Sequence, residues 1–246
     1  MKISGKKILN RIKTYLFAAE MCVSISIVII SMFLFRSKTQ TIRSVWARSQ
    51  CRLLGCKFEV EGEPDAAANL VVANHQSMLD ILVMLGYYPA DLAFVAKKEI
   101  GDITFFGQTV KLTKMILVDR NDARSMVKML KECKERLSEG RKIFIFPEGT
   151  RGNGDKLLAF KSGAKVMAEK LKLRIQPVVL VNTRSVMDSQ NFRLGDKEPW
   201  VKIIYLPAFD VEPANEGWYE RLQEQMGKAH DRALKKRFVM AEVMSA

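Results

Sequence analysis

Asn74-His75-Gln76-Ser77-Met78-Leu79-Asp80 sets a histidine five residues ahead of an aspartate, directly after the apolar run Leu70-Val71-Val72-Ala73. An imidazole can take a proton from a hydroxyl near neutral pH and return it. A carboxylate on its other ring nitrogen fixes the tautomer and stabilises the imidazolium. A separation of five does not align two residues on one helix. The pair therefore predicts His75 in a turn after a strand and Asp80 in the first turns of the helix that follows. By spacing alone, a structural histidine with a carboxylate near a helix start fits equally, and both readings stay open at this stage.

A second stretch is suited to binding. Phe144-Ile145-Phe146-Pro147-Glu148-Gly149-Thr150-Arg151-Gly152-Asn153-Gly154 runs from an apolar strand into a glycine-rich basic turn. Glycines let backbone N–H groups close on an anion, and an arginine can grip phosphate with two parallel hydrogen bonds. Phe160-Lys161-Ser162-Gly163 adds a cation just before a helix whose N-terminus also favours phosphate. A stretch of this composition also occurs simply as a turn. Asp119-Arg120 ends the run Met115–Val118, where a surface ion pair of small energetic weight is the plain alternative. Lys97-Lys98 closes another apolar run and fits a solvated strand edge.

Absent motifs narrow the chemistry. No Gly-Lys-Ser/Thr follows at Walker spacing, and no G-x-S-x-G elbow offers a serine nucleophile. No His/Cys/carboxylate cluster has zinc-ligand spacing. His230, among Lys228, Asp231, Arg232, Lys235, Lys236 and Arg237, reads as a surface residue.

The elements that must carry these residues follow from periodicity. Strands are predicted at Lys57–Glu61, Leu70–Ala73, Leu92–Ala96, Met115–Val118, Lys142–Phe146, Ile175–Val181 and Lys202–Tyr205. Helices are predicted at Ser77–Leu85, Ala123–Ser138, Gly163–Leu171 and Trp218–Phe238. Alternating β and α with continuously apolar strands gives an α/β fold, a mixed and mainly parallel sheet flanked by helices. Ligands in such folds gather at the C-terminal strand ends, where His75, Arg120 and Arg151 all fall.

Residues 1–52 hold ten Lys/Arg and only Glu20 as an acid, whereas the remaining chain holds 30 basic and 26 acidic residues. A nearly balanced globular part argues against nucleic acid as a partner. A basic, apolar N-terminus suits an anionic membrane surface. Tyr15–Phe35 is long enough to cross a hydrocarbon core as a helix. Its two flanks are equally basic, which under the positive-inside rule suggests that both ends stay on the cytoplasmic side. The segment is expected to lie embedded in one leaflet, paired with a second helix around 40–54 whose Arg43, Arg48 and Arg52 reach lipid phosphates. The expected division is a membrane-associated helical segment at 1–54 and an α/β domain at 55–246. Cys22, Cys51, Cys56 and Cys133 form no CxxC pair and are expected as reduced thiols.

Taken together, these stretches resemble the glycerolipid acyltransferase family. Asn74–Asp80 matches that family's N-H-x-x-x-x-D block, and Phe146-Pro147-Glu148-Gly149-Thr150-Arg151 matches F-P-E-G-T-R residue for residue. Phe106-Gly107 through Asp119-Arg120 resembles the block between them, and Ile175-Gln176-Pro177-Val178 the last one. Thr104 departs from the proline usual before Phe-Gly, and Gly101-Asp102 from a more apolar approach.

The resemblance implies transfer of a fatty acyl group from a thioester, acyl-CoA or acyl carrier protein, to the sn-2 hydroxyl of 1-acyl-sn-glycerol 3-phosphate (lysophosphatidic acid), giving phosphatidic acid. It implies His75 as general base and Asp80 as its partner. It implies Arg120, Glu148, Gly149 and Arg151 at the glycerol phosphate, with Gly107 and Thr150 in the same matched blocks and Lys97 and Lys161 adding positive charge. No metal or other cofactor is expected. The bacterial inner membrane, with the domain on its cytoplasmic face, is the expected location. The alternatives are another acceptor (a lysophospholipid, a lyso-aminolipid or glycerol 3-phosphate) and a non-catalytic lipid-binding protein on the same fold.

Overall fold

The computed structural model describes residues 5–103, 106–119, 122–195, 199–212 and 216–245. The chain opens with two helices, α1 (Gly5–Leu34) and α2 (Thr39–Leu53). It continues as β1 (Lys57–Glu61), β2 (Leu70–Ala73), α3 (Leu79–Tyr87), β3 (Leu92–Lys97), α4 (Glu99–Asp102), α5 (Phe106–Leu112) and β4 (Ile116–Val118). Then come α6 (Ala123–Ser138), β5 (Lys142–Ile145), α7 (Ser162–Leu171), β6 (Arg174–Val181) and α8 (Thr183–Val186). A small hairpin, β7 (Met187–Asp188) and β8 (Arg193–Leu194), precedes β9 (Trp200–Tyr205), β10 (Phe209–Asp210) and α9 (Trp218–Ser245).

The main sheet runs β1-β9-β6-β2-β5-β3-β4, with β10 pairing the start of β6. Strands β2 to β6 are mutually parallel, and β9 is antiparallel to β6. The predicted fold class holds: a mixed, mainly parallel sheet between helical layers. Strand β2 is central, and its alternate side chains serve two cores. Leu70 and Val72 pack with α6, α7 and α9 through Met129, Cys133, Met167 and Met226. Val71 and Ala73 pack on the other face with α2 and α3 through Ala47, Cys51, Leu79 and Val83.

Helix α1 is long and apolar enough to cross a membrane, at about 45 Å for 30 residues. Leu16, Val23, Ile27, Ile30 and Phe33 of that helix are exposed. Ile25, Val28 and Met32, spaced at helical period, are buried instead. Between the two helices lies a polar cluster. Gln50 Nε2 donates to Glu20 Oε1 (2.9 Å), and Trp46 Nε1 donates to Ser24 Oγ (3.0 Å). The chain therefore leaves the domain along α1 and returns along α2.

Two of the three arginines expected at lipid phosphates point the other way. Arg43 is buried, pairs with Asp91, and donates to the carbonyl of Leu92. Arg48 Nε donates to the carbonyl of Gly86 at 2.5 Å. Both dock α2 on the sheet domain, because the face of α2 with the small residues Ala47 and Cys51 is the one that fits closely against α3. Arg48 stays exposed despite that bond, as does Arg52.

Candidate active site

The first half of the site is the turn between β2 and α3. Asp80 lies in the first turn of α3, as its spacing from His75 predicts, and is fully buried. Its Oδ2 accepts from the amides of Gln76 (2.6 Å) and Ser77 (2.8 Å) and lies 2.9 Å from His75 Nδ1. These amide bonds delay the helix to Leu79, two residues later than periodicity suggests. With Nδ1–H directed at Asp80, the lone pair of His75 Nε2 is open, and no described residue hydrogen-bonds to it. The imidazole stacks on Phe146 at 3.9 Å between centroids and 10° between planes. Carboxylate and ring together fix its orientation. Asn74 closes the strand below by imitating a backbone partner. Its Nδ2 donates to Leu180 O (2.8 Å), and its Oδ1 accepts from Leu180 N (2.7 Å).

The second half is the turn after β5. Strand β5 ends at Ile145, one residue earlier than predicted, because Phe146 O accepts from Gly149 N (3.0 Å) and starts a tight turn. Gly149 has φ +68°, a conformation that side chains rarely adopt. Strands β2 and β5 are paired in parallel with Val72 opposite Ile145. Three residues beyond that pair lie His75 and Glu148. The register thus brings the two turns side by side.

Glu148 is the tie between them. Its Oε1 accepts from the His75 amide (2.7 Å), and its Oε2 accepts from the Leu158 amide (2.7 Å). Gly152 N adds a bond to His75 O (2.8 Å). Burial pushes the Glu148 carboxyl up to about 7. The two amide donors work against that rise, and the charge of Asp80 adds to it. Both carboxylate oxygens are occupied, so Glu148 faces backbone.

The remaining predicted residues are distributed more widely. Arg151 is half-buried beside these turns, and its Nη1 donates to Ser189 Oγ (2.8 Å). Thr150 is exposed on the same turn. Lys161 precedes α7 with its side chain exposed, while its amide donates to Pro147 O (2.8 Å). Lys97 is exposed at the end of β3, with β5 lying between β3 and β2. Gly107 is buried where α4 and α5 meet, and a Cβ there would lie 2.3 Å from the carbonyl oxygen of Gly101. It borders a cleft of about 550 Å³ whose lining, among the described residues, includes neither His75 nor Arg151. Arg120 and Thr104 lie outside the described residues. Asp119 pairs with Lys98 at 3.5 Å.

His230 is not a surface residue. It is fully buried, with its Nε2 2.7 Å from Gln76 Nε2 in the His75 turn. The charged neighbours that suggested exposure lie on the outer face of α9, while His230 shares the inner face with Met226, Ala229 and Ala233. Since the Gln76 amide donates, the ring accepts at Nε2 and is neutral. Burial lowers its proton affinity, outweighing Asp231 and Asp155, which raise it. The sign follows. Below the ordinary histidine value of about 6.5, the unfolded chain takes up a proton that the folded chain refuses, so stability falls with pH. Wild-type Tm should drop more steeply from pH 7 to 5.5 than that of His230→Gln. Parallel profiles would remove His230 from the acid response.

The sheet, the His–Asp couple at a strand end and the basic turn beside it define an α/β protein with a paired histidine base next to an anion-binding type of turn. The Acyltransferase family matches residues 57–181, half of the chain. A 1-acyl-sn-glycerol-3-phosphate acyltransferase of Helicobacter pylori is 38% identical over 224 residues, covering 90% of this chain and 93% of that one. A lyso-ornithine lipid O-acyltransferase of Rhizobium meliloti is 36% identical over 118 residues, 48% of this chain and 40% of its own. The crystal structure of PlsC, the 1-acyl-sn-glycerophosphate acyltransferase of Thermotoga maritima, superposes with a TM-score of 0.74 at 25% identity, covering 94% of this chain and 97% of that one. This chain belongs to the Acyltransferase family and is an acyltransferase.

Proposed function

We propose that this enzyme transfers a fatty acyl group from an acyl thioester, acyl-CoA or acyl carrier protein, to the sn-2 hydroxyl of 1-acyl-sn-glycerol 3-phosphate. The observation that carries the reading is the 2.7 Å bond from His75 N to Glu148 Oε1, which couples a base-bearing turn to an arginine-bearing one. The name and coverage of the Helicobacter pylori relative support the choice of acceptor.

The chemistry balances without a covalent acyl-enzyme. His75 Nε2 takes the proton of the acceptor hydroxyl as its oxygen bonds to the thioester carbonyl carbon. Asp80 stabilises the imidazolium that results. The tetrahedral intermediate collapses, the C–S bond breaks, and the thiolate leaves and recovers the proton from His75. Arg151 binds the acceptor phosphate, and Lys161, Lys97 and Arg120 contribute positive charge around it. Helices α1 and α2 lie in the cytoplasmic leaflet, so that lipid acceptors reach the site from the bilayer. The return of the chain along α2 and the equally basic flanks support that placement.

A second reading, a lyso-aminolipid acceptor, is favoured by the Rhizobium meliloti relative. One experiment separates the two. Thiol release is followed with both donor types and acceptors with and without phosphate, for wild type and Arg151→Ala. The proposal expects phosphate-bearing acceptors to be preferred. It also expects Arg151→Ala to raise their KM about tenfold or more, the cost of losing a charge-assisted bond, with the donor KM unchanged. Equal effects on donor and acceptor, or a preference for acceptors without phosphate, would sink it.

A further inference from the structure

The segment between β6 and β9 has no counterpart among the predicted elements, yet it touches both halves of the site. Helix α8 and the β7–β8 hairpin form a strap across the two turns. On the His75 side, Ser77 Oγ donates to Met187 O (2.5 Å), and the Met78 amide donates to Ser189 Oγ (3.0 Å). On the Arg151 side, Arg151 Nη1 donates to the same Ser189 Oγ (2.8 Å), and Gln190 Nε2 donates to Arg151 O (2.9 Å). One hydroxyl oxygen thus accepts from the turn that carries the base and from the side chain at the opposite turn.

We propose that Ser189 is the positioning residue of the acceptor-phosphate site, holding the Arg151 guanidinium at a fixed place beside the His75 turn. The proposal rests on the reading of Arg151 as the phosphate ligand. Three features of the structure carry it.

First, the partner is neutral. Among the described residues the Arg151 side chain makes no other hydrogen bond and no ion pair. A carboxylate in the place of Ser189 would hold the guanidinium equally well but cancel the charge an anion needs. A hydroxyl holds it and leaves both the charge and the remaining N–H donors available. Second, a long arginine side chain loses rotamer entropy when it is fixed on a ligand. A fixed acceptor on one N–H removes part of that cost before the ligand arrives.

Third, Ser189 is itself held. Asp188 Oδ1 accepts from the amides of Gln190 (3.2 Å) and Asn191 (3.1 Å), closing the tip of the hairpin. Ser189 N donates to Met187 O (3.1 Å), and Arg184 Nη1 ties the strap to Gly152 O (2.8 Å). The far strand is anchored on α1. Asn10 Nδ2 donates to Leu194 O (2.8 Å), Leu194 N donates to Thr14 Oγ1 (3.2 Å), and the Phe192 ring lies 5.9 Å from that of Tyr15. The hydroxyl is therefore presented from a braced loop.

The test is a double-mutant cycle on the full-length protein, assayed with 1-acyl-sn-glycerol 3-phosphate and an acyl thioester. Ser189→Ala should raise the acceptor KM about tenfold, the loss of a hydrogen bond to a charged group, while kcat and the donor KM stay within about threefold. Ser189→Thr, which keeps the hydroxyl, should restore most of the loss. In an Arg151→Ala background the same Ser189→Ala change should alter the acceptor KM by less than about twofold, because the group it positions is gone. An unchanged acceptor KM in Ser189→Ala overturns the proposal. So does an equal rise in both backgrounds, which would be a general loss of loop structure. If Ser189→Ala does not fold, as judged by Tm, the Thr variant and Ser189→Gly carry the same comparison. If Arg151→Ala alone leaves the acceptor KM unchanged, the reading of Arg151 fails first, and the proposal fails with it.

Discussion

Replacing His75 by alanine is expected to lower kcat by about 10²–10⁴-fold, the range that a positioned general base contributes. The acceptor and donor KM values should move far less, because the imidazole lies outside the proposed phosphate contacts and acts only as the hydroxyl proton leaves. Tm should change little. Among the described residues no backbone group hydrogen-bonds to the ring, whose contacts are Asp80 and Phe146. The amides of Gln76 and Ser77 would keep their bonds to Asp80, and the His75 amide would keep its bond to Glu148. Steady-state kinetics with thiol release, together with thermal unfolding, reads all three quantities. Near-wild-type turnover in a folded His75→Ala protein would remove the base from the mechanism.

The second large effect is expected at Glu148. Its two oxygens each accept a backbone N–H, so glutamine can satisfy only one of them. The other donor, from His75 or Leu158, would face an NH2 group inside a buried site. An unsatisfied buried donor costs about 1–3 kcal/mol. If that cost is borne by the turn carrying His75, kcat of Glu148→Gln should fall about 10–100-fold, at 1.36 kcal/mol per tenfold. The acceptor KM should change less than in Arg151→Ala.

The pH dependence provides an independent check. Burial raises the Glu148 carboxyl to about 7 in the folded protein, above its ordinary value of about 4.3. The folded state thus binds this proton more tightly than the unfolded state does. Its contribution to stability is full below the unfolded value and is lost as pH rises through 7. Glutamine does not titrate. The Tm difference between wild type and Glu148→Gln should therefore narrow between pH 5 and pH 8. A difference that widens over that range would mean that the folded protein favours the charged carboxylate.

Much of this site was legible in the linear chain. The apolar runs at Leu70–Ala73 and Lys142–Ile145 mark buried parallel strands, because both faces of such a strand need apolar side chains. The five-residue separation of His75 and Asp80 already excluded a shared helical face and required a strand–turn–helix arrangement. The helix α6 boundaries, Ala123–Ser138, follow from its strongly amphipathic period. The match of Phe146–Arg151 to its block named the second turn. Other features left no local trace. His230 looked exposed because its sequence neighbours are charged, but one inner-face position on α9 is set by where that helix docks. Arg43 looked available to lipid until Asp91, 48 positions away, took it inside. The strap carrying Ser189 has neither alternation nor a motif, since two-residue strands are too short to show a period.

By itself, then, the sequence determined which groups can do chemistry, which segments must be buried, and on which side of each strand the reactive turns fall. Those properties depend on residue type and on spacings of a few positions, and local sterics and hydrophobic periodicity decide them. Only the tertiary structure decided which turns meet. Strand β2 finds its neighbours in β5 and β6, far along the chain, because those pairings bury both faces of the sheet. That register puts the His75 amide on Glu148, and the same packing lays the strap across Arg151. Interactions between distant segments are chosen by the burial of the whole, so no spacing rule in the chain could reveal them.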